Sequence, residues 1–447
     1  MLAPLLAVCS GYFMVILDVT IVNVAAPAIG REFGSSLTAV QWVVDGYTVA
    51  FAGLLLLGGA VGDRWGNRRV FGLGVALFTL ASLGCMLAWD VVWLSVFRVI
   101  EGAGAALLVP GSLALLQQVF TTPEARARAF GLWGAIAGVA ATAGPLLGGV
   151  LTNTVGWRWV FAINLPVGVA CIVMTQAWVG RSERDETRSV DGIAQAAVVV
   201  AVAALITGLN ELGRLGLGSP LVLGSFTVTV VAAVVLGLRE RYGSNPPLPR
   251  PMLASRQLTV GTAVGLLFNF GFYGMIFAAS VYFQQHKGWT ATQTGLALLP
   301  AVAVTMVASA WSGRLSRRFP HRRLMMIGLL IAAVGLAIWA VAGESPSYAV
   351  LVVAMMACGF GTSFTLTGAT ATVMGAAPTG YTGTASATLN TARQTGSAAG
   401  VALSGSLIAT LGLSLGVPVF MLVGAVGYVL GVILTATSIP RPVPATV

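Results

Sequence analysis

GAVGDRWGNRR, running from Gly59 to Arg69, decides the architecture of this chain, because the chain writes it twice. GRLSRRFPHRR, from Gly313 to Arg323, keeps the same spacing of glycine and arginines 254 residues later, with Arg317 standing where the first copy has Asp63. A second echo links Gly102, Gly104 and Gly111 to Gly359, Gly361 and Gly368, displaced by 257 residues. Two copies of a six-span unit, separated by an inserted pair of spans, produce both echoes. Parallel repeats of this kind build one large class of secondary transporters, with the substrate site between the halves near mid-membrane.

Both copies sit in an apolar chain. Of 447 residues, 57% are hydrophobic and 9% charged, whereas a soluble domain carries about 25% charge. That balance excludes a soluble enzyme, a disordered chain and a nucleic-acid-binding protein. Cys9, Cys85, Cys171 and Cys358 lie in apolar stretches without a CxxC pair, so they read as packing residues rather than a disulfide framework or a metal site. With no GxxxxGK[ST] run, ATP use is not expected.

A helix needs about 20 mostly apolar residues to cross the hydrocarbon core. Breaks at charges and Gly/Pro clusters predict fourteen spans: 3–26, 40–61, 69–88, 91–115, 127–151, 157–179, 192–211, 219–238, 257–284, 293–313, 324–342, 347–372, 384–411 and 416–437. The first carries Asp18 in its middle and no basic leader, so it reads as a permanent span rather than a signal peptide. The expected organisation is an all-α integral membrane protein: a six-helix bundle over 1–180, an inserted pair with its linkers over 181–245, and a second six-helix bundle over 246–447. With an even number of spans both termini share one side. Loops on that side hold eighteen of the Lys and Arg residues and the opposite loops four, which predicts cytoplasmic termini in a cytoplasmic membrane. Arg98 and Arg393 fall inside spans.

Ionisable groups inside a span are expensive and usually face a cavity or one another. The first half holds Asp18, Asp45, Arg98 and Glu101. At 1.5 Å per residue, Asp18 and Glu101 both lie roughly 15 Å below the outer surface, Arg98 about 10 Å, and Asp45 shallower. Arg98 and Glu101, three residues apart, share a helix face. These four are the proton-coupling candidates. Asp18 leads because it has no charged neighbour in sequence, and Glu101 follows; a permanently ionised pair between Arg98 and a carboxylate is the structural alternative.

In the second half Asn269, Tyr273, Phe277, Ser280 and Gln284 recur at three- and four-residue steps, a face suited to amphiphilic ligands. With Asn23, Phe364 and Arg393 they form the candidate substrate cavity. After Glu240 the only acid is Glu344, in an outer loop. A second half offering an arginine and no intramembrane acid favours neutral, monocationic or zwitterionic substrates.

Five motifs in order resemble the major facilitator superfamily, specifically its fourteen-span drug/proton antiporter branch. Gly59, Asp63, Arg64, Gly66, Arg68 and Arg69 resemble the superfamily's loop signature, which implies a cytoplasmic gate. LDVTIVNVAAP (17–27) resembles the span 1 motif of the branch. Arg98-x-x-Glu101-Gly102-x-Gly104 resembles the span 4 motif, with Glu101 where Gln is usual. Gly131, Gly144, Pro145, Gly148 and Gly149 resemble the antiporter signature, with Ala140 where a glycine is usual, and WRWVFAINLPVG (157–168) also resembles this branch. The resemblance implies proton-coupled efflux of drug- or antibiotic-type molecules by alternating access, from a monomer that is not an enzyme and uses the proton gradient instead of a cofactor. Its expected partners are a small amphiphilic substrate, protons and membrane lipids. A lipid or lipid-linked exporter of the same fold and a non-transporting membrane sensor are the alternatives. A fourteen-span peptide importer would carry an ExxER-type run in span 1, which is absent here.

Overall fold

Inside a bilayer every backbone N–H and C=O must find a partner within the protein, and an apolar run meets that demand most simply as a helix. The computed structural model describes residues 2–180, 191–242, 252, 254–316, 319–342, 347–377 and 382–439. Every regular element among them is helical. In the first half these are α1 (Leu2–Phe33), α2 (Leu37–Trp65), α3 (Asn67–Leu87), α4 (Val91–Val119), α5 (Pro123–Thr154), the short α6 (Trp159–Ala162) and α7 (Asn164–Trp178). The inserted pair is α8 (Gly192–Leu215) and α9 (Pro220–Tyr242). The second half comprises α10 (Arg256–Val281) with a π-turn at Tyr282–His286, α11 (Ala291–Leu315), α12 (His321–Val341), α13 (Tyr348–Ala376) and α14 (Thr382–Ser438).

Twelve helices among the described residues are long and apolar enough to cross a membrane, the last of them running from Thr384 to Ser438. α14 contains a non-helical joint at Gly412, with φ 74° and ψ 174°, a conformation that glycine adopts without a Cβ clash. The predicted span over 157–179 is divided into α6 and α7. The predicted basic loop residues Arg181, Arg184, Arg188, Arg250, Arg317, Arg318 and Arg441 lie outside the described residues, as do the side chains of Asp63, Arg126 and Arg128 and the surroundings of Gly131.

Helix starts follow ordinary capping chemistry. Ser36, Asp90, Thr122, Asp191 and Ser255 each accept a backbone N–H of the first turn, and Thr290 with Gln293 forms a reciprocal capping box.

Two core clusters show how the halves meet. At the end carrying the α1–α2 loop, Ile21, Val22, Val24 and Ile29 of α1 share one core with Met275, Ile276 and Phe277 of α10. Nearer the N-terminus, Val8, Met14, Tyr47, Phe71 and Phe78 build a core within the first half, reached from the second by Ala387 and Tyr273. All four cysteines are buried.

Candidate functional site

The three intramembrane charges of α1 and α4 meet. Arg98 Nη1 lies 2.6 Å from both Asp18 Oδ2 and Glu101 Oε2. Its Nε donates to the Val43 carbonyl of α2 at 2.9 Å, and its guanidinium sits 4.3 Å from the Tyr47 ring centroid. A second path joins the same carboxylates. Asn164 Nδ2 donates to Asp18 Oδ1 (3.3 Å) and to Ser82 Oγ (3.2 Å), and Ser82 Oγ donates to Glu101 Oε1. Asp18, Arg98, Glu101, Ser82 and Asn164 therefore close a ring built by α1, α3, α4 and α7. Every member is at most 1% exposed.

The ring is short of one positive charge. With both carboxylates ionised, Arg98 leaves it at −1, and one proton brings it to neutrality. A buried ion pair is stable only when its remaining hydrogen-bonding capacity is met; Ser82, Asn164 and Val43 O meet it here. Asp18, without a charged neighbour in sequence, thus shares Arg98 with Glu101 in the fold.

Asp45 stands apart from this ring. Residues 43 and 47 of α2 face Arg98, whereas residue 45 is about 160–200° round the helix from both. Asp45 lies instead beside Asn210 of α8, and neither its carboxylate oxygens nor the Asn210 amide atoms are in hydrogen-bonding geometry.

Of the predicted cavity residues, Asn269 donates to the Arg393 carbonyl at 2.9 Å, and Tyr273 is half-buried against Phe272. Phe277 and Ser280 are fully buried, Ser280 bonded to its own helix at Ile276 O. Gln284 Nε2 reaches across to Val24 O of α1 at 3.1 Å, and Asn23 Nδ2 donates to Val19 O at 2.6 Å. Phe364 stacks on Phe360 with centroids 4.7 Å apart. Arg393 is half-buried; its Nη1 donates to Asn390 Oδ1 at 3.0 Å, its guanidinium lies 5.7 Å from the Phe268 centroid, and its Nε has no partner. Tyr12 and Tyr273 lie within its electrostatic reach, and Tyr12 stacks on Trp133 with centroids 3.7 Å apart.

In the loop expected to form a gate, Gly66 (φ 94°) turns the chain between α2 and α3. Arg68 donates to the Gln176 carbonyl in the last turn of α7 at 2.8 Å, a helix end that favours cations. Arg64 and Arg69 are exposed, and Gly59 is half-buried with Pro110 nearby. The antiporter motif makes α5 serve two neighbours. A Cβ at Gly144 would overlap Thr20, and one at Gly148 would stand 2.8 Å from Ile21 O, so these glycines seat α5 on α1. On its other side Gly149 meets Ala291, and the Pro145 carbonyl meets Gly295, seating it on α11 of the second half.

Sequence reading missed Ser82, Asn164 and Asn210. Asn164 was visible as a lone amide within WRWVFAINLPVG, and Asn210 as the polar end of an aliphatic stripe. Ser82 carried no signal of its own.

The profile of the Major Facilitator Superfamily matches residues 8–401 and 263–447. The chain is similar to a Methylenomycin A resistance protein of Streptomyces coelicolor, 36% identical over 439 residues that cover 98% of this chain and 92% of that protein. It is 34% identical over 408 residues to the Multidrug resistance protein Stp of Mycobacterium tuberculosis, covering 91% and 76% respectively. The Tetracenomycin C resistance and export protein of Streptomyces glaucescens is also 34% identical, over 411 residues covering 91% and 76%. The fold matches the crystal structure of the human organic anion transporter MFSD10 (TETRAN) with a TM-score of 0.67 at 16% identity, covering 97% of this chain and 98% of that one. It matches a peptide transporter POT in complex with alafosfalin with a TM-score of 0.69 at 15% identity, covering 97% and 93%. A multi-span helical chain with these matches across its length belongs to the Major Facilitator Superfamily.

Proposed function

We propose that this chain is a fourteen-span, proton-coupled exporter of hydrophobic or amphiphilic, antibiotic-type small molecules, working by alternating access across the cytoplasmic membrane. The observation that carries the reading is the buried ring in which Asp18 and Glu101 share Arg98. One proton neutralises it, and a rocking motion that exposes it to either side in turn loads and releases that proton. One charge crossing 100 mV supplies about 2.3 kcal/mol, enough for tens-fold accumulation. The substrate class draws on the relatives named for antibiotic resistance and export, and on the aromatic and amide groups around Arg393.

Counting α5, with 32 residues, and dividing α14 at Gly412 supports the reading of fourteen spans. At 1.5 Å per residue α14 would otherwise be about 85 Å long, far beyond a hydrocarbon core of about 30 Å. The bundles take residues 1–180 and 246–447, and the inserted pair 181–245. The loop-charge asymmetry supports cytoplasmic termini. The hydrogen bonds that join the halves from Gln284 to Val24 and from Thr292 to Gly149 then lie on the outer side, which supports an inward-facing conformation. The transporter works as a monomer without a bound cofactor, on the proton gradient alone.

Asp18→Asn in proteoliposomes tests this. The substitution removes the titratable group and keeps the shape. Uphill export driven by a pH gradient should be abolished, while substrate counterflow without a gradient persists. Uphill export at the wild-type rate overturns the coupling role of Asp18.

A further inference from the structure

The inserted pair takes no part in the mechanism above, yet its first helix is pinned between the halves. α8 packs through Val198, Val202 and Ile206, four residues apart, and the stripe ends four residues on in Asn210. α2 meets it with Val49 and Ala52, and α14 with Ala398, Ala399 and Ala402. The same face of α2 continues through Asp45 to Gln41. Gln41 Nε2 donates to the α14 carbonyls of Ala402 (2.9 Å) and Val401 (3.4 Å), while its Oε1 has no partner.

Four more unpartnered atoms lie at this three-helix junction: both oxygens of Asp45 and both amide atoms of Asn210. The two residues are 0% and 1% exposed and lie side by side. An ionised carboxylate only accepts, so it can use Asn210 Nδ2 but leaves Asn210 Oδ1 empty. A carboxylic acid carries a donor and an acceptor on adjoining oxygens, and a primary amide presents the complementary pair. One proton therefore completes all four atoms at once.

We propose that Asp45 is a second proton-binding site, separate from the ring, which holds its proton in a two-hydrogen-bond acid–amide pair with Asn210 of the inserted helix. Losing the proton breaks one of the two bonds and places a bare charge where α2, α8 and α14 meet, so α8 is a proton-dependent brace on the contact between the halves. No described cation offsets that charge. Arg98 of α4 is committed to the opposite face of α2, Arg214 of α8 pairs with Glu211 at 2.7 Å, and Arg393 of α14 lies about two turns from Val401 and Ala402, bonded to Asn390. The site holds its proton whether or not Asp18 drives transport, so the two readings fail separately.

Infrared spectra of the reconstituted full chain at neutral pH test it. The expected result is a protonated-carboxyl carbonyl band that Asp45→Asn removes and Asp18→Asn leaves in place. Asp45→Asn replaces the acid–amide pair with an amide–amide pair of the same two hydrogen bonds, so it should fold. Asn210→Leu should move the band to higher frequency, as a carbonyl freed of its N–H donor does, and Asn210→Gln should move it part of the way back. A spectrum that Asp45→Asn leaves unchanged overturns the proton site. A band that Asn210→Leu neither shifts nor removes overturns the brace.

Discussion

Each half of this transporter carries an arginine within an apolar helix, and the two are treated in opposite ways. Arg98 is at most 1% exposed, with two carboxylates, a backbone carbonyl and a tyrosine face around it. Arg393 is half-buried, bonded to one asparagine, and keeps an unpartnered Nε. A guanidinium closed in by counter-charges is part of the framework, and its removal strands what surrounds it. One left open with spare donors stands ready for an incoming group. The difference teaches that the first half closes its arginine inside a charge-balanced ring, while the second leaves its arginine half-open beside an aromatic ring, the asymmetry on which the proposed division between proton coupling and cargo binding rests.

The largest contrast should appear in stability. Arg98→Ala leaves two carboxylates buried without a cation, and stranding a buried charge costs about 3–5 kcal/mol. Arg393→Ala strands no carboxylate, and its loss should stay within about 1 kcal/mol. Thermal unfolding in one detergent would measure both, and equal losses would collapse the comparison.

A sharper version concerns cargo charge. At an effective dielectric constant near 20, a like charge 8–10 Å away opposes binding by about 2 kcal/mol, roughly a thirty-fold loss of affinity. Monovalent amphiphiles should therefore outbind their divalent analogues, and Arg393→Gln should narrow the gap. A matched pair of mono- and bis-quaternary compounds in a binding assay decides it; tighter binding of the divalent member to the native protein sinks the idea.

Glu101→Gln tests how much of the ring's chemistry depends on its second carboxylate. The amide still accepts from Ser82, so stability should change by about 1 kcal/mol. The pH profile of export should flatten, because the ring is then neutral without a proton. An unaltered profile would assign Glu101 a purely structural role beside Arg98.

The smallest effect on transport belongs to the N-terminal cap of α8, at the opposite end of that helix from Asn210. Asp191 caps α8 through the N–H groups of Ile193 and Ala194, both at 3.0 Å, and pairs with Arg239 of α9 at 2.8 Å. The Ala194 N–H, followed by the Arg239 guanidinium, holds its carboxyl below the usual 3.8. Its contribution is therefore fully present above that value and fades as pH falls through the lowered folded value. Asp191→Ala should cost about 1 kcal/mol at neutral pH and leave transport selectivity untouched.

Much of this was legible in the residues. The repeated loop and the paired glycines led to the expectation of two halves, and depth along the helices put Asp18 and Glu101 at one level with Arg98 about 5 Å shallower. Depth does not give azimuth, however. Asp45 shares that region but points away from the ring, a fact visible only once Val43 and Tyr47 are known to face Arg98. Ser82, Asn164 and Asn210 draw their roles from helices distant in sequence, and nothing local marks a serine that donates to a carboxylate nineteen residues away. The stripe from Asn269 to Gln284 lies along one helix, yet its ends serve different neighbours, α14 and α1. Periodicity names a face and leaves its partners unnamed.

Gly412 bears on how the chain is made. A single residue of positive φ joins the two arms of α14, leaving no loop long enough for either arm to settle in the bilayer by itself. Two arms joined in this way are expected to enter the bilayer together as one hairpin. An epitope or fluorescent tag that longer loops accept would split this hairpin at its apex, and the damage would be to biogenesis before it was ever to transport.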